Sequence, residues 1–276
     1  MYNNEGRAAM ISVEMNALRD YTRSEPDLIT TLDRLHTLGV TGVQLRLLPY
    51  IDDRRLAYEL AVRGLYADSV FVALEDIVSY PAGAASLAET FGIDMIRTDG
   101  MPAEYSRSEE SIKSYAQRLE KAAAALESRN MRLIYRLGAI EFTQLYDQAA
   151  GSSRCAVDLL LENTEKLLFM PDLYRMTAAG YPPVTALEKF AGRAPYVIAQ
   201  GCGLLPGSQT LSPMPAGTGC LDWEKVIKAA DGIGAYNYII ACDRPVTSPI
   251  GDITVGLSNM TKLLSSLRRS EDSPAE

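Results

Sequence analysis

A single α/β domain closed as a (β/α)8 barrel is the fold the sequence predicts, and three observations predict it. The chain has 276 residues, 47% of them apolar, a size that suits one barrel better than two domains. Apolar bursts alternate with helical stretches along the whole length; strict alternation implies parallel strands, because a parallel connection needs a crossover long enough to hold a helix. The turn after the first strand, Asn16-Ala17-Leu18-Arg19, contains no glycine, whereas an open doubly wound sheet more often shows a glycine-rich turn there.

The first strand falls within Ala8 to Leu18, where Ile11, Val13 and Met15 alternate with Ser12, Glu14 and Asn16. Ser24, with Asp27 three residues on, caps the next helix; Leu28, Leu32 and Leu35 form its stripe and Gly39 stops it. Val43 to Leu47 reads as the second strand, and Asp52 to Arg63 as a helix closed by Gly64. Tyr66 to Ala73 is a weaker third strand and Ile93 to Thr98 a fourth. Ser106 and Glu109 predict a capping box for a helix carrying Ile112, Tyr115, Leu119, Ala123 and Leu126 at helical spacing. Arg132 to Leu137, Leu167 to Met170, Pro195 to Ala199 and Tyr236 to Ala241 complete the set of strands. The domain is expected to span 1–276, with the barrel over 8–268 and a charged, prolyl tail over 269–276 that frays. Gly201 to Gly219, rich in Gly, Pro and Ser, is long for a connection and is expected to cover a site.

Charge excludes some partners. The net charge of −8, with both signs interspersed, offers no basic stripe for a phosphate backbone, so nucleic acid is not an expected partner. No apolar run reaches the roughly 18–20 residues that span a bilayer, and the polar start Met1 to Arg7 resembles no export signal, so no membrane partner is expected. Four scattered cysteines, Cys155, Cys202, Cys220 and Cys242, read as reduced thiols and fit the cytoplasm.

Several segments resemble the sugar phosphate isomerase/epimerase family, the xylose-isomerase-like TIM barrels. The matches are Leu18-Arg19-Asp20-Tyr21, Gly39-Val40-Thr41-Gly42-Val43-Gln44-Leu45, Asp172-Leu173-Tyr174 followed by Ala179-Gly180, Ala191-Gly192-Arg193, Gly219-Cys220-Leu221-Asp222-Trp223 and Asp243-Arg244-Pro245. Their order and spacing cover nearly the whole chain. The resemblance implies isomerase or epimerase chemistry in carbohydrate metabolism: a divalent cation, held by two carboxylates, a histidine and a further glutamate, polarises sugar oxygens while carboxylates shuttle a proton. Such chemistry requires that the enediolate charge be stabilised by a metal or by fixed donors.

The sequence departs from that pattern where the metal would bind. The family's Tyr-His-Asn-His-x-x-Glu-Phe is similar to Tyr135-Arg136-Leu137-Gly138-Ala139-Ile140-Glu141-Phe142, which keeps Glu141 and loses both histidines. Asp172 is retained, but Ile198 stands for the family's histidine in Val-His-Leu-Lys-Asp, and Ala241 for the carboxylate in Glu-Gln-Asp-Arg-Pro. Phe71 stands near a third-strand histidine of the family, and the one histidine, His36, reads as a helix-surface residue. Tight metal binding is therefore not expected; Glu141 and Asp172 would retain Mn2+ or Mg2+ only weakly, with water or a phosphorylated ligand completing the shell. A zinc site from Cys202, Cys220, Cys242 and Asp172 has no CxxC spacing to support it.

By resemblance, proton transfer is expected of Glu141 and Asp172, and ligand contact of Arg46, Arg97, Arg136, Gln200, Asp243 and Arg244, with structural ion pairs as the competing reading. Strand parity aims Glu14, Gln44, Arg46 and Arg136 into the barrel beside Asp172, Gln200 and Asp243. Arg136 is expected to pair with Glu141 or Asp172 and to supply the positive charge of the missing cation. The expected ligand is a small sugar, sugar acid or cyclitol; the alternative is a catalytically silent barrel that binds a carbohydrate-like ligand or a partner subunit. Homo-oligomerisation is left open.

Overall fold

The computed structural model describes residues 9–147 and 152–271. The first eight residues and 272–276 lie outside them, and with them the polar N-terminus and most of the tail expected to fray.

Eight parallel strands form the barrel: β1 (Met10–Glu14), β2 (Gly42–Leu45), β3 (Tyr66–Phe71), β4 (Met95–Asp99), β5 (Arg132–Arg136), β6 (Leu168–Met170), β7 (Tyr196–Ile198) and β8 (Asn237–Ile240). Their hydrogen-bonded order is β6-β5-β4-β3-β2-β1-β8-β7. A parallel bridge from Asp172 to Ile198, with Ile198 N–H donating to Pro171 O at 2.9 Å, joins the two ends. The predicted barrel is the observed fold, and its closure leaves no sheet edge exposed.

Local rules account for the helices. Ser24 Oγ accepts from Asp27 N–H at 3.3 Å at the start of the helix Glu25–Thr37. Leu28, Leu32 and Leu35 on its inner face are fully buried, each contributing about 1.5–3 kcal/mol of transfer free energy. Gly39 ends it at φ +80°, a backbone region closed to most side chains. The cap of the helix Glu109–Glu127 differs from expectation: Ser108 and Ser111 form the capping box. Ser106 lies in a preceding 3-10 turn and donates to Ala103 O; Glu109 is already the first helical residue and cannot reach back to it. The last helix, Pro249–Glu271, continues beyond the point where fraying was expected.

Two antiparallel hairpins interrupt the alternation at the C-terminal end of the barrel. One pairs Gln144–Asp147 with Ser152–Cys155 after β5; the other pairs Gly201–Leu204 with Leu211–Met214 after β7. The second lies inside the stretch expected to be one long connection, so that expectation is corrected: the backbone there is paired. Among the described residues no helix is long and apolar enough to cross a membrane.

Strands in a barrel are buried on both faces. Outward side chains such as Val13, Val43 and Leu133 pack against the helices. Part of the lumen is apolar, lined by Met95, Ile134, Met170, Ile198, Ile239 and Ala241. The rest is a continuous polar column. Asp68 accepts from Ser69 Oγ (2.7 Å), and Gln44 Nε2 donates to the same Ser69 Oγ (3.0 Å). Arg97 Nη1 donates to Gln44 Oε1 and to Glu14 Oε1, both at 3.1 Å. Each link offsets the desolvation of its neighbours, so the column is favourable only as a connected whole.

Candidate functional site

The column ends at the C-terminal mouth, where Arg136 emerges from β5. Its Nη1 donates to Glu14 Oε1 at 2.5 Å, and its Nη2 lies 3.6 Å from both Asp172 Oδ2 and Asp243 Oδ1. Burial alone would favour the neutral guanidine, but Glu14, Asp172, Asp99 and Asp243 together raise the pKa of Arg136 above its ordinary value. The expected pairing with Asp172 is present as this longer contact. Pairing with Glu141 is not found: the chain turns back after Gly138 and carries that carboxylate elsewhere.

Glu141 is fully buried and holds a loop. Met101 N–H donates to Oε1 and Gly138 N–H to Oε2, each at 2.7 Å, and the Tyr135 hydroxyl also donates to Oε1. Burial, then the Glu141 charge, raises the Tyr135 pKa well above that of an ordinary phenol, which keeps the proton on the donor. Tyr135 is itself fully buried and unavailable to stack on a sugar.

Asp172 caps the helix Leu173–Ala178, accepting from Arg175 N–H at 3.1 Å through Oδ1. Its Oδ2 is buried without a hydrogen bond. Burial pushes its pKa up to about 6, and Arg136 opposes that rise. With a folded value above an ordinary carboxylate's, this group's contribution to stability is full below pH ~4 and is lost as pH rises through about 6. Asp172→Asn keeps the cap and removes the titration. Wild type minus variant stability, measured by urea unfolding, is expected to fall by on the order of 2 kcal/mol between pH ~4 and ~7; a flat difference would sink this account.

Beside these groups lies a cavity of about 400 Å³, lined by Asp99, Arg136, Glu141, Arg175, Asp243 and residues 137–140, among others. Arg175 Nη2 donates to Asp243 Oδ2 at 2.7 Å. Asp99 Oδ1 lies 3.3 Å from Arg97 Nε, and burial raises the Asp99 pKa. Two arginines and three carboxylates thus line the cavity, a set that can grip hydroxyl, carbonyl and carboxylate oxygens.

The remaining residues singled out in the sequence fall into two groups. Arg97 is buried beneath the cavity, and Gln200 is buried with Nε2 donating to Ala241 O at 3.4 Å and Oε1 without a partner. Arg46 and Arg244 are exposed. The inward placement of Arg46 is corrected: β2 ends at Leu45, and Arg46 donates to Asn16 Oδ1 and lies 5.7 Å from the centre of the Phe71 ring. Arg97 lies over the same ring at 5.6 Å, so Phe71 sits between two cations. Arg244 donates to the Tyr174 hydroxyl at 3.1 Å. Asp99 and Arg175 were missed; the Met95, Arg97, Asp99 alternation was the available signal for the first.

These residues do not form a cage for a divalent ion. Glu141 already accepts three hydrogen bonds, Ile198 and Ala241 line the apolar lumen, and the Arg136 guanidinium stands among the acids that would attract a cation. Among the described residues no three His, Cys, Asp or Glu side chains are grouped to hold a metal.

Comparison with solved structures gives the fold independently. A sugar phosphate isomerase/epimerase from Parabacteroides distasonis superposes with a TM-score of 0.77 at 14% identity, over 92% of this chain and 98% of that one. A xylose isomerase domain protein from Alicyclobacillus acidocaldarius gives 0.71 at 15% identity, over 95% and 100%. A xylose isomerase-like TIM barrel protein from Mycobacterium smegmatis, in complex with magnesium, gives 0.66 at 16% identity, over 96% and 99%. No family model matches the sequence, and no curated protein matches it significantly.

Proposed function

We propose that this xylose-isomerase-like barrel binds a small sugar, sugar acid or cyclitol at its C-terminal mouth and moves a proton beside the ligand's carbonyl without a tightly held cation. The observation that carries the reading is the Arg136 guanidinium, fixed by Glu14 and facing a cavity edged by Asp99 and Asp243. When a base removes the proton next to a carbonyl, the C–H pair becomes the C=C bond and the carbonyl π pair moves onto the oxygen. A preorganised positive charge stabilises that enediolate. Asp99, Asp243 and Glu141 line the cavity; Glu141 is tied down by three donors and Asp172 lies outside the lining, so proton transfer falls to Asp99 and Asp243. The sugar class is supported by neighbours of the same fold, one of them an L-ribulose 3-epimerase. Four free cysteines support a reducing, cytoplasmic setting.

A second reading, ligand binding without chemistry, is favoured by the burial of both Glu141 and Asp172. One experiment separates the two. Ketoses, aldoses, their phosphates and inososes are incubated with the protein in D2O and EDTA, and deuterium beside the carbonyl is followed by NMR. Exchange that falls at least tenfold in Asp243→Asn is expected; thermal stabilisation by a ligand without exchange would leave only the binding reading. No stabilisation and no exchange with any compound would sink both.

A further inference from the structure

The far end of the polar column opens into another cavity. At the N-terminal mouth a space of about 730 Å³ is lined by Tyr66, Asp68, Asp94, Arg132, Tyr196 and Tyr236, among others. The site proposed above does not use it, and the two mouths are separated by the length of the barrel strands.

Its chemistry is one-sided. Asp68 is 5% exposed and lines the cavity. Ser69 Oγ and Asn237 Nδ2 donate to its two oxygens at 2.7 and 2.9 Å. Those donors and the Ser12 hydroxyl orient the carboxylate; burial raises its pKa, and the three donors and the Arg97 charge oppose that rise. At the rim, Arg132 Nη2 lies within 2.8 Å of both Asp94 oxygens, so that arginine is already balanced. With Asp94 paired at the rim, the acid left facing the space is Asp68, whose ionised form a bound cation would stabilise.

Three tyrosines complete the wall. Tyr196 and Tyr236 pack edge to face, with ring centres 5.5 Å apart at 89°, so their faces point in different directions. The Tyr196 hydroxyl donates to the Asp68 backbone carbonyl at 3.2 Å, tying the ring to the acid. Tyr66 is 37% exposed and lies across the floor of the barrel, over Gly42. A Cβ at Gly42 would meet the Tyr66 hydroxyl at 2.8 Å, so the absent side chain lets the ring lie there. Aromatic faces beside a buried carboxylate attract an organic cation: the ring quadrupole and the acid act in the same direction, and little water screens them.

We propose that the N-terminal mouth is a second ligand site, selective for a small organic ammonium ion held by Asp68 and the Tyr66, Tyr196 and Tyr236 rings. A primary amine would donate to Asp68; a quaternary ammonium would rest on the rings alone and bind more weakly. Inorganic cations lack the apolar surface to displace water from the tyrosines, and anions are repelled by Asp68.

Calorimetric titration with butylammonium and choline chlorides, against sodium chloride at matched ionic strength, tests this. Butylammonium is expected to bind more tightly than choline and to raise the Tm, and sodium to do neither. Asp68→Asn should weaken butylammonium at least tenfold, and Tyr66→Leu, at the solvent edge, should weaken both probes severalfold. Asp243→Asn, at the opposite mouth, should leave both affinities unchanged, which separates this site from the first. Absence of binding by either probe to the wild-type protein overturns the proposal, as does undiminished affinity in a folded Asp68→Asn or Tyr66→Leu variant. Should Asp68→Asn fail to fold, Tyr66→Leu decides alone.

Discussion

Replacing Arg136 by alanine is expected to lower the unfolding free energy by about 3–5 kcal/mol and to raise the affinity for Mn2+. Among the described residues the guanidinium is the one cation in direct reach of Glu14, Asp172 and Asp243 together. Glu14 and Asp172 are almost wholly buried, so solvent cannot take over when it leaves. Three carboxylates around an empty space then repel one another, and either protonation or a metal ion relieves them. Denaturant unfolding of Arg136→Ala with and without Mn2+ reads both effects. Arg136→Lys should recover only part of the loss, because an ammonium cannot reproduce the planar fork that reaches separate carboxylates. Unchanged melting together with no gain in Mn2+ affinity would show that Arg136 does not replace a cation.

Much of this barrel can be read from the chain because its local signals agree. The Leu28, Leu32, Leu35 stripe, the Ser24 cap and the Gly39 stop all describe one helix, and that helix is present. The apolar burst Arg132 to Leu137 located β5 within a residue, and the alternating segment Ala8 to Leu18 contains β1, which ends four residues earlier at Glu14. The inward direction of Glu14, Gln44 and Arg136 also followed from parity, since both faces of a barrel strand are buried. Partner choice did not follow. Glu141 is five residues from Arg136 and looks like its natural partner, but Glu14, 122 positions away, is the residue that bonds it. That contact exists because β1 and β5 face one another across the lumen, a relation no local pattern encodes. Asp99 was hidden for a simpler reason: the fourth strand was ended at Thr98, one residue short. The hairpin from Gly201 was hidden by composition, because its glycines and prolines read as turn rather than strand.

The residue whose role changed most is Glu141, and Glu141→Gln discriminates between its two roles. The amide has the size of the carboxylate but presents one NH2 group where the site supplies only donors: Met101 N–H and the Tyr135 hydroxyl on one side, Gly138 N–H on the other. Whichever way the amide turns, a donor faces a donor in a fully buried position, and the charge that strengthened all three bonds is gone. The expected loss is about 4 kcal/mol, built from charge-assisted hydrogen bonds of about 1.5–3 kcal/mol each that are partly recovered as neutral ones. Loosening of the 138–142 loop beside the cavity should follow, visible as faster amide hydrogen exchange at Met101 and Gly138. Were Glu141 instead the proton-transfer base, the same substitution would abolish exchange into the ligand while melting stayed near wild type. The structure favours the first outcome, because both oxygens of Glu141 are already engaged by donors of the loop and of Tyr135.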